Sequence, residues 1–152
     1  MKKLLILSSF ITILSAGFVN VETGWEYQQS TFQAFYMLET TEIDGATIEA
    51  ADVIGAFKDG VCVGWVYADP AGFTTIPLMG DDGTFPGYMV NGDVAELRIY
   101  DATYGSILSI DPGSELPAWE NSGIFIINGA STANNTFGCT DSAACNYNSD
   151  AT

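Results

Sequence analysis

Turn-forming residues constrain this chain more than any other feature. Gly, Asp, Asn and Pro recur roughly every eight to twelve positions, separating short runs rich in Val, Ile, Thr, Phe and Tyr. No run of useful length carries a 3.6-residue apolar period, so helices are not expected. The pattern predicts an all-β fold, an antiparallel β-sandwich (Ig-like or jelly-roll-like) over residues 24–130, with a small irregular C-terminal segment. The expected strands are "STFQAFYMLET", "ATIEA", "DVIGAF", "VCVGWVY", "FTTIPLM", "VAELRIYDA", "GSILSI" and "GIFIING". In the first, Phe32, Ala34, Tyr36 and Leu38 share one face, while Phe35 and Met37 make the other face apolar too. In "VAELRIYDA", Ala95, Leu97 and Ile99 oppose a wetter face of Val94, Glu96, Arg98 and Tyr100. Pro77 cannot donate to a ladder and marks "FTTIPLM" as an edge or bulged strand.

The stretch "DVIGAFKDGVCVGW" raises a sharper question, because Gly55 and Gly64 weaken a sheet interior. Asp-Gly between two apolar runs is a strong hairpin signal. With Asp59-Gly60 as a two-residue loop, Phe57 faces Cys62, Ala56 faces Val63 and Gly55 faces Gly64. The two glycines then form a bare lane across two strands. Either an aromatic ring or a crossing loop fills that lane, or it is a shallow groove for a planar ligand such as a sugar ring. Both faces of this hairpin are apolar, so it is expected to be covered on both sides, or covered once and sticky on its second face.

Export follows from the first residues. "MKKLLILSSFITILSAGF" has a cationic start at Lys2 and Lys3, an apolar run from Leu4 to Leu14, and small residues Ser15, Ala16 and Gly17. That order is a secretory signal peptide over residues 1–17, with an apolar core shorter than the ~20 residues of a bilayer span. The expected location is secreted or cell-surface, with no membrane insertion after signal cleavage. Cleavage leaves two basic residues, Lys58 and Arg98, against 19 acidic ones, a net charge of −17. So anionic a chain does not neutralise phosphates, which excludes nucleic acid as a partner and disfavours anionic membrane surfaces. Such a charge suits a salty or calcium-rich exterior. The chain has no histidine, which removes the commonest general base, the commonest zinc ligand and every Ser-His or Cys-His pair.

Two segments carry a resemblance. "ADVIGAFKDGVCVGWVYADP", "FTTIPLMGDDG", "GDVAELRIYDATYGSILSI" and "GIFIING" together resemble a module of secreted Bacteroidota-type surface proteins. Asp52 to Gly64 and Tyr100-Asp101-Ala102 carry it, and Val63 stands where that module has a basic residue. After a polar linker at residues 131–137, "GCTDSAACNYNSDAT" in residues 138–152 is similar to a short cysteine-containing repeat that follows such modules and normally continues to a third cysteine. The resemblance implies a large, multi-module exported protein and attaches no catalytic residue to either part.

Several residues are candidates for chemistry or contact. Cys139 and Cys145 are disulfide candidates in an oxidising exterior, with the repeat's third cysteine as a rival partner under the resemblance; Cys62 reads as a buried thiol. No cofactor is required, and calcium is the one candidate ion. Its candidate ligands are Asn146, Asn148 and Asp150 at alternate positions, and Asp81, Asp82 and Asp93 in a long loop. Trp119, Tyr88 and Trp65, with Gly55 and Gly64, are candidate ligand-binding positions for a sugar; Trp119 and Tyr88 lie in long loops where exposure is favoured. No carboxylate pair stands in a recognisable catalytic setting, so the chain is read as a non-enzyme. The expected role is a non-catalytic extracellular or cell-surface binding or adhesion module of a larger protein, contacting polysaccharide or a surface protein. The alternatives are a structural spacer stabilised by calcium or a disulfide, and an accessory carbohydrate-binding domain of a glycan-degrading enzyme.

Overall fold

The computed structural model describes residues 17–135 and residue 143. The fold is all-β and sandwich-like, and no helix occurs among the described residues. Ten strands follow in order: β1 (Phe18–Val19), β2 (Glu26–Tyr27), β3 (Gln33–Ile43), β4 (Ala46–Thr47), β5 (Val53–Lys58), β6 (Val61–Tyr67), β7 (Thr74–Met79), β8 (Glu96–Asp101), β9 (Ser106–Ser109) and β10 (Ile124–Ala133). One sheet centres on β3, which pairs with β10, with β7 and with β4. The other runs β6-β5-β8-β9. A short β1-β2 ribbon stands apart. All these pairs are antiparallel except β3 and β10, which run parallel. A parallel neighbour needs a long crossover connection; here the connection includes the whole second sheet.

The turns follow from their residues. The β5–β6 hairpin closes on Asp59 (φ +49°) and Gly60 (φ +81°), both left-handed as a type I′ turn requires. Asp44 and Gly45 close β3 onto β4 in the same way. Every expected strand is present. The short ribbon strands β1 and β2 were not foreseen, and β10 continues through Ala133, three residues into the segment read as a linker. It continues because β3 does, with Ala130–Ala133 lying beside Thr40–Ile43.

The inner faces meet in one core. It holds Ala34, Tyr36 and Leu38 from β3, Ile76 and Leu78 from β7, Ile54 and Ala56 from β5, and Leu97 and Ile99 from β8. Each large aliphatic buried here contributes about 1.5–3 kcal/mol. The alternation expected for β8 holds: Ala95, Leu97 and Ile99 are buried, while Val94 and Glu96 are exposed. Phe32, expected on the core face, is 42% exposed because the strand begins only at Gln33.

The hairpin register departs from the simple one. Lys58 faces Val61 and Phe57 faces Cys62 as expected, but Ala56 then faces Gly64 and Gly55 faces Trp65. Val63 is the extra residue of a β-bulge, and the bulge moves Gly64, Trp65 and Val66 to the faces opposite those expected. Gly55 and Gly64 are therefore not opposed, and no bare lane exists. On the outer face, a Cβ at Gly55 would lie 2.7 Å from the Trp25 ring. On the inner face, a Cβ at Gly64 would fall on the Pro77 carbonyl oxygen, where β6 passes β7. An aromatic ring covers one glycine and a crossing strand the other. Trp25 also meets Phe57 edge-on at 5.2 Å, and Arg98 stacks over Phe57 at 4.5 Å.

Two buried carboxylates fasten strand ends to loops. Asp52 accepts from the Ala102 N–H (2.9 Å) and the Glu49 N–H (2.7 Å). Asp101 accepts from the Thr103 and Tyr104 N–H groups and from the Asn135 amide (2.9 Å). The two aspartates of the resembled motif are thus held by structural hydrogen bonds.

Candidate functional site

Three segments converge at one rim of the sandwich: the approach to β3, the β7–β8 loop and the β9–β10 loop. They enclose a groove of about 370 Å³ lined by Phe32, Asp81, Met89, Val90, Asn91, Trp119 and Asn121. Long loops on a sandwich rim were expected to carry binding, and these two are fastened throughout. In the β7–β8 loop, the Met89 N–H donates to the Met79 carbonyl (3.1 Å) and the Asp81 N–H to the Met89 carbonyl (2.9 Å). The β9–β10 loop crosses to it through Trp119 N–H to the Asp93 carbonyl (2.6 Å) and Gly92 N–H to the Trp119 carbonyl (3.0 Å). Beneath them, Tyr36 Oη donates to the Pro117 carbonyl. Loops held this way present a groove that exists before any ligand arrives.

Trp119 forms the floor. Its ring is 2% exposed, and its indole N–H donates to the Leu78 carbonyl (3.1 Å). A Cβ at Gly80 would lie 2.5 Å from this ring, so Gly80 leaves room for it. Trp119 was expected as an exposed platform; instead its large apolar surface is spent on the core. Tyr88 is likewise buried at 7% exposure, stacked on Phe85, with its hydroxyl oxygen accepting from the Gln28 N–H (2.7 Å). Burial raises the Tyr88 hydroxyl above its ordinary value. Trp65 is half-buried and does not line this groove, its indole N–H donating to the Phe18 carbonyl (2.9 Å). The structure therefore does not gather Trp119, Tyr88, Trp65, Gly55 and Gly64 into one surface.

The accessible wall was not picked out from sequence as a binding surface; only Asp81 was singled out, as a calcium ligand. It consists of the exposed Phe32 ring and Val90, which is 45% exposed, with the polar side chains of Asp81, Asn91 and Asn121 around them. Asn121 Oδ1 accepts from the Gln33 N–H (3.1 Å), which orients its amide. Asn91 in "MVNGD" and Asn121 in "ENSG" read as ordinary turn residues, and only the meeting of the loops distinguishes them.

The loop aspartates serve the loops. Asp82 Oδ2 accepts from both the N–H and the hydroxyl of Thr31, and its Oδ1 from the Thr84 N–H. These bonds, from Thr31 first, hold the Asp82 carboxyl well below the usual carboxylate range. Asp81 Oδ1 caps the Gly83 N–H (2.8 Å). Asp93 forms an ion pair with Lys58 and accepts from the Val90 N–H (2.8 Å). Partial burial pushes its carboxyl up, but Lys58 and that N–H outweigh it and the net shift is down. Asp81, Asp82 and Asp93 do not converge, and no group of three metal-ligating side chains occurs among the described residues. Asn146, Asn148, Asp150, Cys139 and Cys145 lie outside the described residues. Cys62 is a buried free thiol whose burial raises it to about 11.

The groove offers an aromatic ring, two amides and a carboxylate over an apolar floor. That set can stack on a ring and exchange hydrogen bonds with hydroxyls. No family model, curated protein or solved structure matches this chain.

Proposed function

We propose that this chain is a non-catalytic binding module of a larger exported protein, and that the rim groove contacts polysaccharide. The observation that carries the reading is the pre-fastened groove with an exposed Phe32 ring beside Asn91, Asn121 and Asp81. A pyranose ring has an apolar face that stacks on an aromatic side chain and hydroxyls that pair with amides and carboxylates. The signal-like N-terminus and the net charge of −17 after its removal support an exterior setting. The lack of histidine and of a placed carboxylate pair supports contact without turnover.

A glycan array with the full chain, together with pull-down from envelope material, tests this reading. Phe32→Ala and Asn91→Ala remove exposed side chains and leave the fold intact. Polysaccharide binding that falls at least about tenfold in both variants supports the groove. Silence on the array counts against the polysaccharide reading; capture of a protein that ignores both substitutions moves the site elsewhere.

A further inference from the structure

Beside the β10 edge, the outer face of the β3 sheet is apolar. Ile124 and Ile126 of β10 are 67% and 54% exposed. They lie beside half-buried Phe35 and Met37 of β3, which in turn face Pro77 and Thr75 of β7. Gln33 and Asn128 flank this patch, and the next outward residue of β3 is exposed Glu39, whose carboxylate accepts from the Gly129 N–H (2.8 Å); the patch itself bears no charge, in a chain with 19 acidic residues.

The adjacent edge is open. β10 pairs with β3 on one side only. On its other side, among the described residues, the one backbone pairing is the bridge of Thr132 with Asp111, and nothing pairs Ile124–Ile127 there. Natural sheets guard such edges with Lys, Pro or inward-pointing charge. From Asn121 to Asn135 this sequence holds no charged residue and no proline.

We propose that this edge and face are where a second copy of the chain docks, by antiparallel pairing of β10 with its symmetry mate. Charge selects the occupant. Two copies, each at −17 after export, repel wherever acidic surfaces approach, and the uncharged β10 edge with its apolar patch is where like-charged molecules meet at least cost. A cationic partner would instead be drawn to the acidic surfaces and gain nothing here. The edge is also self-complementary. A two-fold axis through Phe125 sets Ile124 of one copy opposite Ile126 of the other, and the apolar row runs unbroken through both sheets. One edge strand and a short apolar row make a small contact, so the dimer is weak and concentration-dependent. This inference is independent of the groove.

Sedimentation equilibrium on the full chain, expressed with its leader and purified after export, tests it between 10 µM and 1 mM, concentrations set by the weak-contact estimate of roughly micromolar to millimolar affinity. The expected result is a reversible dimer that tightens at least about tenfold when NaCl rises from about 50 to about 500 mM. The pair Ile124→Thr with Ile126→Thr changes only exposed side chains and keeps strand propensity. It should abolish the dimer without moving the melting temperature, while Val94→Thr, which trims an exposed valine elsewhere, should leave it intact. A chain that stays monomeric throughout, a dimer that weakens with salt, or one that survives the double substitution overturns the proposal.

Discussion

Gly64 and Gly55 show how one residue type answers two different demands. Gly64 admits the Pro77 carbonyl, a backbone atom that cannot swing aside; Gly55 admits the Trp25 ring, which can. Gly64→Ala should therefore cost about 3 kcal/mol or more and Gly55→Ala about 1–3 kcal/mol, read from denaturant midpoints. The reverse order would mean that β6 and β7 do not cross there. Cys62 beside them reports on the same packing. A buried thiol raised to about 11 is almost wholly protonated at pH 8 and should react with a disulfide reagent only through unfolding. Prompt labelling of the native chain would contradict its burial. The Asp59-Gly60 turn was legible in the sequence because turn chemistry is local. The bulge at Val63 was not, because its cause is a strand eleven or more positions away.

At the scale of strands, the alternation in β8 could be read directly, since one face is wet and period two then leaves a signature. β10 could only be half read. Its last residues, "GASTA", have a linker's composition and are held in the sheet by the length of β3. Asp52 and Asp101 explain why strand ends close onto loops in this chain: each gathers backbone N–H groups into a buried carboxylate. Asp101→Ala takes the side-chain acceptor from the Thr103 and Tyr104 N–H groups and leaves the Asn135 amide only its bond to Asp44. It should cost about 2–4 kcal/mol, less than the sum of its bonds because they share one acceptor group. Thermal melting measures this, and a loss under about 1 kcal/mol would show that the loops hold without it.

Across the whole molecule, charge and pH act together. Asp93 and Asp82 have folded-state carboxyls held below the ordinary 3.8. Groups of that kind stabilise the fold above the unfolded value and lose their contribution as pH falls through the lower folded one. The melting temperature should therefore drop below about pH 4, and Asp93→Asn, which gives up the Lys58 pair, should flatten part of that drop. An unchanged acid slope in the variant would remove the ion pair from the account. The candidate site itself was legible only as a place. Long turn-rich loops marked the rim, but Trp119 and Tyr88 went to the core because large rings are worth most there. Phe32, Asn91 and Asn121 became a wall only once three distant segments met.

A fixed rim groove that takes a saccharide by contact alone is the proposal on which the functional reading rests. Chemical-shift mapping of the isotope-labelled chain against a panel of oligosaccharides tests it most directly. Perturbations should be confined to Phe32, Asp81, Met89 to Asn91 and Trp119 to Asn121, with the saccharide recovered unchanged. Shifts centred on another surface, cleavage of the saccharide by this chain, or no shift with any member of the panel would contradict it.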